Sequence, residues 1–374
     1  MTRTETVELQ DPVGGSAPVA VGRAGTWGVT WHGVRTVALL DLRQRVRSTR
    51  WVVALVVWFV AVGGITLLTS GAINALGGFA GRPDGPLLFA AVTGLVLGLG
   101  LLVTPTLSST AVNGDRNAGT LATLQVTLLT PAEIATGKLL AAWSTACAFL
   151  VAGLPFLVVA LAMGRTPVQS LFRVVLIVAL LLLAVCGIGL GFSALVARTA
   201  GSTVLTFITV AGLTIFTLIL FGLTYPSTTT TEQVRVWGVP AAEYPADGSV
   251  PECRWYTDQR DVTHTERSWW LLGINPFVVV ADGAGTAEPP PGTETEVLST
   301  IRQGIRELRA GPAPALNECW SATDPAELRR SVSTAPVWPW GLAVNLGLGV
   351  VGFVVAVRRL RIPQRTLARG TRVA

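Results

Sequence analysis

Charge is what this sequence has least of. Asp, Glu, Lys and Arg make up 13% of its 374 residues, while half are hydrophobic; a soluble domain carries roughly twice that charged share. Lysine is nearly missing, with Lys138 alone against 27 arginines. Histidine occurs only as His32 and His264, too few and too isolated for a metal site or a hydrolytic triad. No HExxH is present. The Gly137-Lys138 pair lacks both the upstream glycine and the following Ser or Thr of a phosphate-cradling GxxxxGK-S/T loop. These absences exclude ATP hydrolysis by that route and zinc-dependent hydrolysis. No enzyme activity, and no cofactor on this chain, is expected.

In six runs charge is absent altogether. Trp51–Thr69, Leu87–Asn113, Leu139–Gly164, Val174–Ala197, Thr199–Thr231 and Val337–Val357 contain no Asp, Glu, Lys, Arg or His. Each covers the ~20 residues that a helix rising ~1.5 Å per residue needs to cross ~30 Å of hydrocarbon. Six buried helices of a soluble protein would need polar faces, which these runs lack. The expected fold is an all-α integral membrane protein with six transmembrane helices, at 51–69, 87–112, 139–163, 174–197, 202–223 and 337–357. Carriers driven by protons or ions usually keep titratable groups in their spans, at ~2.5–3.5 kcal/mol insertion cost each. None is present here. The polar groups are of the kind of Asn345 and the threonines of the fifth run, Thr203, Thr206, Thr209, Thr214 and Thr217. Those threonines either bond their own helix backbone or line a path. Gly94–Gly98 and Gly187–Gly191 are small-residue steps that permit close helix packing.

The net charge of +6 divides unevenly: residues 224–336 carry −6 and the remainder +12. The basic part flanks the apolar runs, which is membrane topology rather than a nucleic-acid footprint. Arg35, Arg43, Arg45, Arg47 and Arg50 precede the first span, and Arg358, Arg359, Arg361, Arg365, Arg369 and Arg372 follow the last. By the positive-inside rule both ends are cytoplasmic and the number of spans is even. The expected location is a plasma (inner) membrane, with the lipid bilayer as the first partner.

Residues 1–26 read as a disordered cytoplasmic tail, and the first apolar run begins too late for a secretory signal. Residues 27–49 read as an amphipathic helix on the cytoplasmic face, with Trp27, Trp31, Val34, Ala38 and Leu42 on one stripe. Arg45 falls on that stripe and would snorkel; continuation of the first span is the alternative. Residues 224–336 form an extracytoplasmic domain between spans five and six, and residues 358–374 a basic cytoplasmic tail. In the domain, Ile301, Ile305 and Leu308 mark a short amphipathic helix ending before Gly311 and Pro312. Cys253 and Cys319 are its only cysteines. A disulfide between them would be worth ~4 kcal/mol in the chain-entropy model; two free thiols are the alternative. Cys147 and Cys186 lie within spans as small packing residues. The apolar run from Trp269 and Trp270 through Asn275, Pro276 and Phe277 to Ala281 is too short to span and is broken by its proline, so it reads as interfacial or re-entrant.

The segment 113–138, NGDRNAGTLATLQVTLLTPAEIATGK, joins spans two and three at the cytoplasmic surface. Gly119-Thr120 opens an apolar-periodic helix through Leu121, Leu124 and Leu128. Thr130 then caps a second short helix with Pro131 at its first position and Glu133 in its first turn, which suits the helix dipole. The pair forms either a knob that a soluble partner could grip or an ordinary structured loop.

This segment resembles the cytoplasmic signature of ABC-2 type exporter permeases: an acidic-Arg pair, G-T-L, a leucine-rich stretch, T-P, E-I and G-K. Here these are Asp115-Arg116, Gly119-Thr120-Leu121, Leu124, Leu128-Leu129, Thr130-Pro131, Glu133-Ile134 and Gly137-Lys138. The sequence departs at Asn117 and Ala122, where the family often has acidic residues. The helix before span one, Asn275-Pro276-Phe277 and Arg358-Arg359-Leu360-Arg361 are also family-like, although the outer domain is longer than usual. The resemblance implies a half-transporter: two permeases, identical or paired, each docking an ABC ATPase subunit that holds the ATP and Mg. Residues 115–138, helped by 27–49, would carry the motion, with Asp115, Arg116 and Glu133 as polar contacts and Gly119 and Pro131 shaping the element. The uncharged spans suit an amphiphilic or lipid-like cargo. A membrane-anchored sensor or envelope scaffold with a ligand-binding outer domain is the alternative.

Overall fold

The computed structural model describes residues 25–77, 85–120, 129–164, 167–240, 252–285, 297–319 and 335–361. Six of its helices are long and apolar enough to cross a membrane, so the chain is a multi-pass membrane protein. They are α2 (Thr49–Gly77), α3 (Gly85–Ser108), α5 (Pro131–Gly164), α6 (Val168–Leu195), α7 (Thr199–Thr224) and α11 (Trp338–Arg359). Two short helices lie at one end of this bundle, α1 (Trp31–Val46) and α4 (Asn113–Asn117). The helices α8 (Trp269–Gly273), α9 (Pro276–Gly283) and α10 (Val297–Ala310) and the sheet lie toward the other. These are called the α1 end and the sheet end. Most of the terminal tails and Leu121, Leu124 and Leu128 lie outside the described residues.

All the spanning helices but α7 run beyond the charge-free stretches at one end or both, because backbone hydrogen bonding continues through polar residues once the helix has started. The clearest case is Pro131, which opens no second short helix. It starts a 34-residue helix that continues as the third span to Gly164. The proline costs nothing there, since the first turn has no intrahelical partner for its missing N–H.

The axis of the bundle is α6, with 72% of its apolar window buried, against 22% for α2 and α7. It packs most extensively on α11, backbone to backbone. A Cβ on Gly187 would lie 2.5 Å from the Gly349 carbonyl oxygen, and one on Gly191 2.6 Å from the Gly352 Cα. The Gly94–Gly98 step has no such use: nothing lies within 4 Å of a Cβ on Gly94. In α7, Thr203, Thr206, Thr209, Thr214 and Thr217 each donate to the carbonyl four residues back, at 2.7–3.0 Å. Their hydroxyls are bound to the backbone of their own helix.

The Trp269–Ala281 run forms α8 and α9, broken at Ile274 and Asn275. It enters and leaves on one side, since Thr265 before it donates to the Leu308 carbonyl after it (2.8 Å). Asn275 caps α9, accepting from the Phe277 N–H at 2.9 Å, and its amide donates to the Thr214 carbonyl (2.7 Å). Thr214 lies in a π-turn of α7, Gly212–Phe216. Ten residues separate it from the helix end at Thr224, or about 15 Å, so the loop dips well into the bundle. Asn345 of α11 donates to the Ile274 carbonyl at the same break (2.9 Å).

The sheet adds a β-structure that the helical reading did not contain. Strands β1 (Thr229–Gly238) and β2 (Arg254–Thr263) pair antiparallel, and β3 (Ala315–Asn317) lies parallel to β1 on its other edge. Trp237 and Trp255 face each other across the ladder, ring centroids 5.3 Å apart, and a disulfide joins Cys253 to Cys319. The amphipathic helix around Ile301 and Ile305 is α10, ended by Gly311 at φ 73°.

At the sheet's base His264 bridges two carboxylates, Nδ1 to Glu266 at 2.7 Å and Nε2 to Glu232 at 3.0 Å. Both ring nitrogens donate only in the imidazolium. Hydrogen bonds to Glu232 and then Glu266 hold the His264 pKa above its ordinary 6.5. The bond from His264 in turn holds Glu232 below the usual carboxylate range. A raised folded-state pKa stabilises fully below the unfolded value and is lost as pH rises through the folded one. His264→Gln should therefore lower the melting temperature at mildly acid pH and have a shrinking effect toward alkaline pH. Equal losses at both ends of the pH range would disprove the bridge.

Candidate coupling surface and the clamp beneath it

The α1 end is built by α1 lying along the first turns of α5, held at three successive points. Glu133, 3% exposed, is the first. One of its oxygens accepts from the Thr30 N–H (2.8 Å) and hydroxyl (2.5 Å), and the other from the Thr130 N–H (2.8 Å). Thr130 returns the bond, accepting from the Glu133 N–H at 3.2 Å, which closes a capping box. Thr30 caps α1 by accepting from the Gly33 N–H. One buried carboxylate thus joins the starts of two helices separated by 103 residues.

The second point is Gly137. A Cβ there would meet Val37 at 2.6 Å and the Val34 carbonyl at 3.0 Å, so only glycine lets α1 come this close. The third is Lys138, 1% exposed, which pairs with Asp115 of α4 and with Asp41 of α1 at 3.6 Å. Burial outweighs Lys138 at Asp41 and raises its carboxyl above the ordinary range. Lys138 draws α1, α4 and α5 to one point.

The face of α1 that meets the bundle is therefore Gly33, Val34, Val37, Asp41 and Arg45, which differs from the expected stripe. Val34 is buried, but Trp31 is 73% exposed. Arg45 does not snorkel; it donates to the Leu107 carbonyl of α3 at 3.1 Å, covering one of the acceptors left open at a helix end. The helix stops at Val46, so α1 and α2 are separate.

Behind α4 lies a polar knot. Asn113 is fully buried, its amide donating to Ser202 (2.7 Å) and the Val196 carbonyl (3.3 Å), while its oxygen accepts from Ser193 (3.1 Å). It ties the segment to the turn between α6 and α7.

The surface above carries Arg116, Gly119 and Thr120, all exposed, with Gly119 at φ 71° in the left-handed region. Thr120 donates to the Asp115 carbonyl at 3.3 Å, and Leu121 lies outside the described residues. The segment thus divides. Arg116–Thr120 is an outward apex, whereas Glu133, Gly137 and Lys138 face inward as its mounting and the half-buried Pro131 opens α5. Glu133 in particular is turned to Thr30 and Thr130 and offers no surface contact. Trp269, Trp270, Asn275, Pro276 and Phe277 belong to the separate dipping loop.

Thr30, Asp41 and Asp282 escaped the sequence reading; only their lone polarity beside apolar runs could have marked them. Glu133→Ala leaves the Thr30 and Thr130 N–H groups without their acceptor, a loss of ~2–4 kcal/mol. Faster amide exchange at the starts of α1 and α5 and a lower melting temperature are expected, and unchanged exchange at Thr30–Val34 would refute the clamp.

No protein-family model matches the chain, and no curated protein matches it.

Proposed function

We propose that this chain is the membrane-spanning subunit of an ATP-driven exporter of the ABC-2 type, gripped at its α1 end by a separate ATPase. A second permease, identical or related, completes the transporter. The α1 end then faces the cytoplasm, in keeping with its flanking arginines. The sheet end faces an oxidising compartment, which suits the Cys253–Cys319 bond.

One observation carries the reading: the exposed Arg116–Thr120 apex is tied through Asp115 and Lys138 to an unbroken helix, Pro131–Gly164. At ~1.5 Å per residue that helix extends about 50 Å. A displacement at the apex is therefore delivered to the third span, and through the clamp to α1, without a flexible joint at Lys138. Closure of an ATPase pair must bias two packings of the bundle, and such an element presses differently in each. The charge-free stretches at the heart of the spans leave the driving force to another polypeptide. Their apolar walls suit an amphiphilic or lipid-like cargo moving outward.

The test is co-expression with a candidate ABC ATPase from the same genome, followed by purification and reconstituted transport. Arg116→Glu should abolish stimulated ATP hydrolysis and transport while leaving the melting temperature of the full chain unchanged, because the side chain is on the surface. Full stimulation and transport by this variant would overturn the coupling role. Failure of any ATPase to co-purify with the wild-type chain would favour a membrane-anchored sensor, for which the disulfide-linked sheet domain is the fitting receptor.

A further inference from the structure

Toward the sheet end a cavity of about 550 Å³ opens between α6, α9, α10 and α11, a volume in the range of small-molecule sites. Its lining is part basic and part apolar. Arg173 of α6 and Arg302 and Arg306 of α10 supply three guanidinium groups to it. Along α6, Leu176 and Leu180 continue the Arg173 face at the spacing of successive turns. Seven residues, about 10 Å, separate Arg173 from Leu180, and Leu342 of α11 adds to the apolar wall. Leu176 lines the cavity and is also 48% exposed, so the cavity opens on the lipid-facing flank of α6.

The charged part is built into the fold. Among the described residues of the lining Asp282 is the one carboxylate, and it is occupied. One oxygen accepts from Arg306 Nε (2.8 Å) and the other from the Val337 and Trp338 N–H groups (2.6 and 2.8 Å). Arg173 lies over Gly285, whose φ of 61° and missing Cβ leave the space that its guanidinium fills. Arginine forks match phosphate oxygens in geometry and charge, and the wall beneath offers length without polarity.

We propose that this cavity binds an anionic, phosphate-bearing amphiphile, with its headgroup at Arg173, Arg302 and Arg306 and its chain along Leu176, Leu180 and Leu342. A soluble organic phosphate shares the headgroup chemistry but has nothing to place against the leucines. The site does not rest on the exporter reading: binding requires no ATPase, so either proposal can fail alone.

The experiment measures lipid retained by the purified full chain in detergent, by native mass spectrometry. Phosphatidylglycerol is the probe, phosphatidylcholine the tail-matched control of no net charge, and glycerol phosphate the headgroup without tails. Phosphatidylglycerol should bind about tenfold or more tightly than phosphatidylcholine, and Arg173→Gln and Arg302→Gln should each reduce that preference about tenfold. Arg173→Lys should restore part of it, since charge returns without the fork. Glycerol phosphate should not displace the lipid at equal concentration. A wild-type chain without headgroup preference, or glutamine variants that keep it, overturns the site. Displacement by glycerol phosphate as effectively as by phosphatidylglycerol makes it a small-anion site and overturns the amphiphile.

Discussion

Gly187→Ala is expected to destabilise the protein by ~3 kcal/mol or more, whereas Gly94→Ala should be neutral or slightly stabilising. Both glycines begin a G-xxx-G step in an apolar helix, and alanine is intrinsically the better helix former by up to ~1 kcal/mol. They differ in what stands opposite. The Cβ at 187 would meet backbone atoms of Gly349, at 2.5 Å from the oxygen and 2.9 Å from Cα, while the Cβ at 94 meets nothing within 4 Å. A side-chain neighbour could rotate away, but a packed helix backbone must shift as a body, and overpacking typically costs ~1–3 kcal/mol even where neighbours can adjust. Thermal unfolding of the full chain in detergent measures both variants. Equal melting temperatures would mean that α6 and α11 do not approach as described.

Asp282→Ala is expected to be as damaging at the opposite end, by ~3 kcal/mol. The carboxylate is 0% exposed at its side chain and serves three donors, Arg306 Nε and the N–H groups of Val337 and Trp338. Alanine leaves the two backbone donors at the start of α11 without an acceptor and removes a buried anion from beside Arg306. Breaking a buried pair from one side costs more than the pair contributes, because the remaining groups stay desolvated. Asp282→Asn keeps one acceptor oxygen and should fall between the two. The melting temperature gives the order, and faster exchange at Val337 and Trp338 in Asp282→Ala gives the cause. An alanine variant as stable as wild type would remove Asp282 from the frame of the cavity.

The two variants illustrate different degrees of legibility. The 187–191 step was visible as a pattern, but so was 94–98, and nothing local distinguishes them. Asp282 sits at the end of an apolar run with no periodicity to mark it, since its partners lie 24 and 55 residues away. The strands were overlooked because the Pro-, Thr- and acid-rich composition of 224–336 masked the β-branched and aromatic residues of Thr229–Gly238 and Arg254–Thr263. Thr130, Pro131 and Glu133 were placed correctly as a helix start, because capping is a relation over three residues. That the same glutamate also holds Thr30 was not readable.

The sequence by itself determined the number of membrane-crossing helices, the short broken run before Ala281, the start of α5 and the amphipathic helix around Ile301 and Ile305. The spans follow from lipid's demand that each satisfy its own backbone, and the helix start and the amphipathic helix from capping and periodicity; all are relations within a few turns and so written in contiguous residues. Only the tertiary structure decided which glycines face a neighbour, that Lys138 and Glu133 point inward while Arg116 points out, and that three arginines and three leucines share a cavity. These are meetings between residues distant in the chain. Their energy lies in close approach and in the desolvation of paired charges, and neither leaves a periodic trace along a single segment.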